Sequence, residues 1–170
     1  VALSKASMKS TIPRFNSQRM LRDYVTRLYW PARQQRRKLE ANGAEVARSL
    51  AAWKHRVRNA WPGVSMELML MPPAHLYHDD KIELRVRAQL NGLQPSDVRL
   101  ECLLGSQDAG GEFVVAQMVE LEATGGDAQF TDFGIEVTPE IAGLQYYKLR
   151  MYPFSEALSH PFEMGFMIWI

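Results

Sequence analysis

The apolar residues of this chain change their period at Trp61-Pro62-Gly63. Upstream they recur every three or four residues; downstream they recur every second residue. A period near 3.6 belongs to helices and a period of 2 to strands, so the chain must build two kinds of structure in series. Pro62 cannot sit in a helix interior and Gly63 frees the backbone, which places a stop at the switch. The expected organisation is a helical segment over residues 1–63 and a β module over residues 64–170.

Within the first segment, Phe15–Trp30 carries Met20, Leu21, Tyr24, Val25, Leu28 and Tyr29 on one broad helical face. Asn16 or Ser17 can cap its first turn, and Trp30-Pro31 is expected to break the run. Asp23 lies one turn from both Arg19 and Arg27. A short helix is expected over Leu3–Ser10, and an Arg-rich helical stretch over Ala32–Leu39, stopped by Asn42-Gly43. A further helix over Ala44–Ala60 places Val46, Leu50, Trp53, Val57 and Ala60 on one seam. The Phe15–Trp30 stripe holds six large side chains, and nothing adjacent in sequence is built to cover them.

Beyond Gly63, Val64, Met66, Leu68 and Leu70 alternate with Ser65, Glu67, Met69 and Met71. The clearest strand is Ile82–Leu90, with Glu83, Arg85, Arg87 and Gln89 outward. Asn91-Gly92 and Pro95-Ser96-Asp97 turn the chain into Val98–Leu104, with Arg99 and Glu101 outward. Phe113–Leu121 follows, then a turn at Gly125-Gly126-Asp127 and strands near Gln129–Val137, Leu144–Tyr152 and Phe162–Ile170. The closing strand is expected to tie the last residue into the sheet. Seven short strands with turn signals between them suggest a mainly β chain ending in an immunoglobulin-like antiparallel sandwich.

Charge follows the same division. The net charge is +1, yet residues 1–60 hold 14 Lys/Arg against 3 Asp/Glu and residues 61–170 hold 6 against 16. This asymmetry reads as a basic piece beside acidic protein. A polyanion surface is the competing reading, although no nucleic-acid motif accompanies the basic residues. The single Cys102 cannot form an internal disulfide and suits a reducing compartment. No apolar run approaches the ~18 residues of a membrane span. VALSKASMKS has no long apolar segment of the signal-peptide kind. It also has no starting Met, as a fragment or a processed product would.

Side chains with chemical potential are few. His75, His78, Asp79 and Asp80 have ligand chemistry, but they sit in a linker without a helix to fix them. His55 and His160 have no neighbour that would make either a catalytic base. Cys102 alternates with Val98, Leu100 and Leu104 and reads as a core residue. Gly110-Gly111 and Gly125-Gly126 join strands rather than open helices, so they make no phosphate cradle. Trp30, Trp53, Trp61, Trp169, Tyr146 and Tyr147 could contribute a sugar-stacking platform. Alternation sends one of Tyr146 and Tyr147 inward, and Tyr146 also fits a corner tyrosine at the entry to its strand.

Residues 8–32, MKSTIPRFNSQRMLRDYVTRLYWPA, resemble the end of the catalytic region in the long bacterial-type α-glucan (glycogen/maltodextrin) phosphorylases. The likeness continues through LAAWKHRVRNAWPGV (residues 50–64), NGLQPSDVRLE (91–101) and YKLRMYPFSEALSHPFEMGFMIWI (147–170). It implies that residues 1–63 are the end of a GT-B lobe and residues 64–170 a C-terminal module. The parent enzyme would be a retaining glycosyltransferase that passes a terminal α-1,4-glucosyl unit to phosphate and releases glucose 1-phosphate. Its pyridoxal phosphate would sit on a lysine upstream of Val1. No segment here matches that lysine motif, so Lys5 and Lys9 take no such role, and no catalytic, cofactor-binding or metal residue is carried over. The expected setting is the cytoplasm. The expected partners are the upstream catalytic domains, with α-glucan and a second copy as further candidates; neither nucleic acid nor membrane is among them. The alternative is a free-standing carbohydrate-binding or protein-interaction sandwich with a basic helical arm.

Overall fold

A computed structural model describes residues 1–73, 75–77, 80–140 and 143–170. The chain forms two compact units, Val1–Ser49 and Leu50–Ile170.

The first unit is helical. Helix α1 spans Ala2–Thr11. Asn16 caps α2, Ser17–Tyr24, its side-chain oxygen accepting from the Arg19 N–H at 2.7 Å. Of the two cations flanking Asp23, Arg19 reaches it at 3.2 Å. The break expected at Trp30-Pro31 does not occur. A π-helical turn, Val25–Tyr29, carries the chain into α3, Trp30–Ala60. The Trp30 N–H bonds back to the Val25 carbonyl, five residues earlier. The wider turn accommodates a proline that has no N–H to give and a ring that would crowd the preceding turn. The chain instead leaves helical geometry at Ala41–Ala44, with positive φ at Asn42, Gly43 and Ala44, as Asn42-Gly43 foretells.

No residue of Val1–Ser49 is buried. Leu21 is 61% exposed, Leu28 54% and Tyr29 64%. The amphipathic stripe exists as read, and it is bare.

The second unit begins with the last turns of α3, where Leu50, Trp53, Val57 and Ala60 are buried along the predicted seam. Trp61–Gly63 makes a 3-10 turn. Among the described residues seven antiparallel strands follow: β1 Ser65–Leu70, β2 Ile82–Gln89, β3 Val98–Gln107, β4 Phe113–Gly126, β5 Thr131–Val137, β6 Tyr146–Pro153 and β7 Ile168–Trp169. Their order is β1-β2-β5-β4-β3-β6-β7. Strand β2 buries Ile82, Leu84, Val86 and Ala88 in strict alternation. The same inner faces bury Leu100, Cys102, Phe133, Leu149 and Met151.

Strand β4 explains how one order joins two groups of strands. Its residues from Phe113 to Leu121 pair with β3, and those from Glu122 to Gly126 pair with β5. A bulge opposite Leu104 and Gly105 bends it. Gly105 is required there, since a Cβ would stand 2.0 Å from the Val114 carbonyl oxygen. Strand β4 therefore runs past Leu121, and the expected turn at Gly125 falls later, where the Asp127 N–H bonds the Phe130 carbonyl at 2.9 Å. The closing strand is also shorter than Phe162–Ile170. Turns occupy residues 161–164, and only Ile168–Trp169 pairs with β6. The Ile170 and Leu149 backbones still exchange two hydrogen bonds, so the last residue is tied into the sheet.

Candidate functional site

Asp97 joins the end of α3 to the sheet. The Pro95–Asp97 turn fixes it: its own N–H bonds the Gln94 carbonyl, and its carboxylate accepts from the Gln94 N–H, each at 2.9 Å. The remaining acceptor capacity faces α3. Trp53 Nε1 donates to it at 2.8 Å and Arg56 at 2.9 Å. The Phe154 N–H takes the Asp97 carbonyl at 2.8 Å, so one residue binds helix, turn and the segment after β6. A buried carboxylate is tolerated because its lone pairs are satisfied. Lys54 pairs with Glu163, Trp61 stacks on Phe166 at 5.8 Å, and Asn91 donates to the Ala60 carbonyl at 2.7 Å.

Glu101, expected outward, is 6% exposed. It does occupy the outer face of β3, but the segment after β6 covers that face. Arg150 donates to it at 2.7 Å and the Tyr152 hydroxyl at 2.6 Å. Phe162 meets Tyr152 edge-on at 4.9 Å, and the Arg150 guanidinium lies 5.0 Å from the Phe162 ring centre and 5.7 Å from that of Trp169. Burial first, and the Glu101 contact second, push the Tyr152 hydroxyl up to about 12. It therefore stays protonated and serves as a donor.

Beside Asp97 a cleft of about 650 Å³ opens where β4 changes partner. Trp53, Ser96, Arg99, Glu120, Glu122, Phe133, Phe154 and Ser155 are among its walls. Arg99 donates to Glu120 at 2.9 Å while its guanidinium lies 3.6 Å from the centre of the Phe154 ring. This mixes acceptors, a cation and an aromatic ring in one concavity.

The residues singled out by sequence do not converge. His75 is exposed; the Asp80 carboxylate accepts from the Tyr77 N–H at 2.8 Å; His78 and Asp79 lie outside the described residues. His55 Nδ1 meets Asn59 at 3.2 Å, and His160 Nδ1 accepts from the Phe162 N–H at 3.1 Å. Cys102 is fully buried, and burial pushes its thiol up to about 12, which suits the core reading. Among the described residues no group of three or more His, Cys, Asp or Glu could hold a metal ion. Within the Leu50–Ile170 unit the tryptophans form no shared platform: Trp53 and Trp61 are buried, while Trp169 is 48% exposed. Tyr147 shares the inner face with Leu149 and Met151, and Tyr146 lies outward and exposed. Sequence reading missed the Asp97 joint and the Glu101 network. For Asp97, a carboxylate closing a Gln-Pro-Ser-Asp turn was the available signal. Glu101 left only a charge within an apolar run.

Fold and geometry define a class: an antiparallel β module carrying a helical arm, with a polar cleft at the strand that changes partner. Comparison with known sequences sharpens this. Residues 61–170 match the glycogen phosphorylase C-terminal domain, and the chain belongs to that family. The maltodextrin phosphorylase of Thermococcus litoralis is 27% identical over 173 residues, covering 99% of this chain. The glycogen phosphorylases of Mycobacterium tuberculosis and Mycobacterium bovis are 30% and 29% identical, each over 97% of it. The chain spans about a fifth of the length of these relatives, 20% in each case. The expected resemblance to a C-terminal portion of an α-glucan phosphorylase is met. No helix among the described residues is long and apolar enough to cross a membrane.

Proposed function

We propose that this chain is the non-catalytic C-terminal part of an α-glucan phosphorylase and that its helical unit braces the catalytic lobes of the parent. The parent transfers a terminal α-1,4-glucosyl unit to phosphate, giving glucose 1-phosphate, in the cytoplasm. The observation that carries this reading is the bare stripe of Val1–Ser49. Met20, Leu21, Tyr24, Val25, Leu28 and Tyr29 are all exposed. Burying each is worth roughly 1.5–3 kcal/mol, so a face of six is a strong demand for a partner surface. The basic balance of the same segment favours an acidic partner surface over neutral lipid or bare solvent.

Pyridoxal phosphate belongs to the upstream region in this reading, because the lysines here do not fit it. Lys5 and Lys9 are exposed on α1 and Lys38 on α3, Lys54 pairs with Glu163, Lys81 with Glu136, and Lys148 lies over Phe113. The β module is read as an immunoglobulin-like sandwich. What supports that reading is a single strand order, β1-β2-β5-β4-β3-β6-β7, in which β4 pairs with β3 along one part of its length and with β5 along the other.

The coding sequence upstream of Val1 tests the assignment. An open frame of several hundred codons with a lysine-bearing cofactor motif supports it. A start codon immediately upstream overturns it in favour of a free-standing interaction module.

A further inference from the structure

We propose that Asn42, at the break inside α3, is a site of spontaneous modification, where the side chain loses its amide to become aspartate or isoaspartate. The chain holds two Asn-Gly pairs, Asn42-Gly43 and Asn91-Gly92, and the structure sets them apart. In such a pair no side chain stands in front of the glycine nitrogen. Once that nitrogen gives up its proton it can attack the asparagine Cγ. A carbon–nitrogen bond forms, the bond to the side-chain nitrogen breaks, and ammonia leaves with the proton the backbone gave up. Water then opens the five-membered imide at either carbonyl. One opening gives aspartate; the other gives isoaspartate, with the Cβ of residue 42 now part of the main chain. Water is the co-reactant, and nothing is oxidised or reduced.

Both asparagines are exposed, and both have left-handed backbones, with φ 52° at Asn42 and 50° at Asn91. That conformation turns the carboxamide away from the next nitrogen, so ψ must rotate before the attack. Asn91 is held against the rotation. Its Nδ2 donates to the Ala60 carbonyl at 2.7 Å, and it lies so close over Gly63 that a Cβ there would stand 2.5 Å from it. The Leu93 N–H closes the turn on the Leu90 carbonyl at 3.0 Å. Asn42 instead lies in a run of non-helical residues, Ala41–Ala44, and its side chain has no bonding partner among the described residues. Ala44 is left-handed too, at φ 64°, which is disfavoured for a residue with a Cβ, so the break gives way readily. A Cβ at Gly43 would meet nothing within 4 Å, which leaves room for the ring. Arg48 donates to the Gly43 carbonyl at 2.6 Å. That contact leaves the carboxamide untouched, and its positive charge favours loss of the neighbouring proton. Conversion adds a negative charge to the basic segment.

Peptide mapping by mass spectrometry tests this, on the 170-residue chain sampled over time in neutral buffer and in concentrated urea. In buffer, Asn42 is expected to convert about tenfold faster than Asn91, whose hydrogen bond and packing must open first. In urea the two rates are expected to converge, because the hold on Asn91 is structural. Conversion at Asn42 should quicken as pH rises, since the Gly43 nitrogen must first lose its proton, and enzymatic methyl labelling should find isoaspartate in the same peptide. Gly43→Ala is expected to suppress the reaction by placing a Cβ beside the attacking nitrogen. The two sites are read in one digest, so each is a control for the other. No conversion at Asn42, equal rates in buffer, faster loss at Asn91, or an advantage for Asn42 that survives in urea would overturn the proposal.

Discussion

At the scale of residues, two buried carboxylates hold the sheet to what surrounds it. Glu101 is shielded from solvent and its charge is met by Arg150, itself only 15% exposed along the side chain. Removing one partner of such a pair leaves the other charge buried and alone, which costs about 3–5 kcal/mol. Glu101→Ala is therefore expected to lower stability by about that amount. Tyr152→Phe removes one bond to a carboxylate that Arg150 still satisfies, and should cost about 1.5–3 kcal/mol. Urea unfolding of both variants checks the order, and a larger loss in Tyr152→Phe would contradict it. Glu163 behaves differently. The hydrogen bond from Lys54 is the main cause holding its carboxyl below the usual range. Because the folded-state value lies below the unfolded one, its contribution is full above about pH 5 and is lost as pH falls through the folded value. Glu163→Gln should cost up to about 1 kcal/mol at pH 7, with the gap to wild type closing toward pH 3. A gap independent of pH in the same urea series would refute that assignment.

At the scale of elements, periodicity was a reliable guide wherever one face of an element meets a core. The seam Leu50–Ala60 and the alternation in β2 were legible because burial repeats with the geometry of the backbone. The expectations that failed concern features periodicity does not encode. Pro31 reads as a breaker, yet a single π turn absorbs it. Glu101 reads as outward, and so it lies, but its covering by a distant irregular segment leaves no local pattern. Strand β4 reads as ending at Leu121, because its change of partner lies in the register and not in its composition. The cleft was illegible for the same reason: residues 53, 96, 99, 122 and 154 meet only through topology.

The burial of the helical seam has a direct consequence at this scale. A chain of residues 64–170 lacks Leu50, Trp53, Val57, Ala60 and Trp61, all buried in the full unit. Losing a buried tryptophan side chain alone costs about 3–5 kcal/mol, against a typical domain stability of about 5–15 kcal/mol. Residues 50–170 are expected to melt cooperatively, whereas residues 64–170 are expected to show little or no cooperative transition. Circular dichroism melts decide this, and equal midpoints for the two fragments would contradict it.

At the scale of the molecule, one chain couples a well-cored β module to a helical unit with no core. The module matches a phosphorylase C-terminal domain, and the helical unit has its apolar face laid open. Helices gain most of their stability from packing an amphipathic face, so α2 and the turns after it should open readily while that face is bare. The most direct measurement is amide hydrogen exchange, made on residues 1–170 and on the same chain joined to its catalytic region. In the short chain, the amides of Ser17–Tyr24 should exchange orders of magnitude faster than those of Leu84, Leu100 and Met151. In the long one they should become protected. Strong protection of Ser17–Tyr24 in the short chain, or none in the long one, would contradict the bracing role.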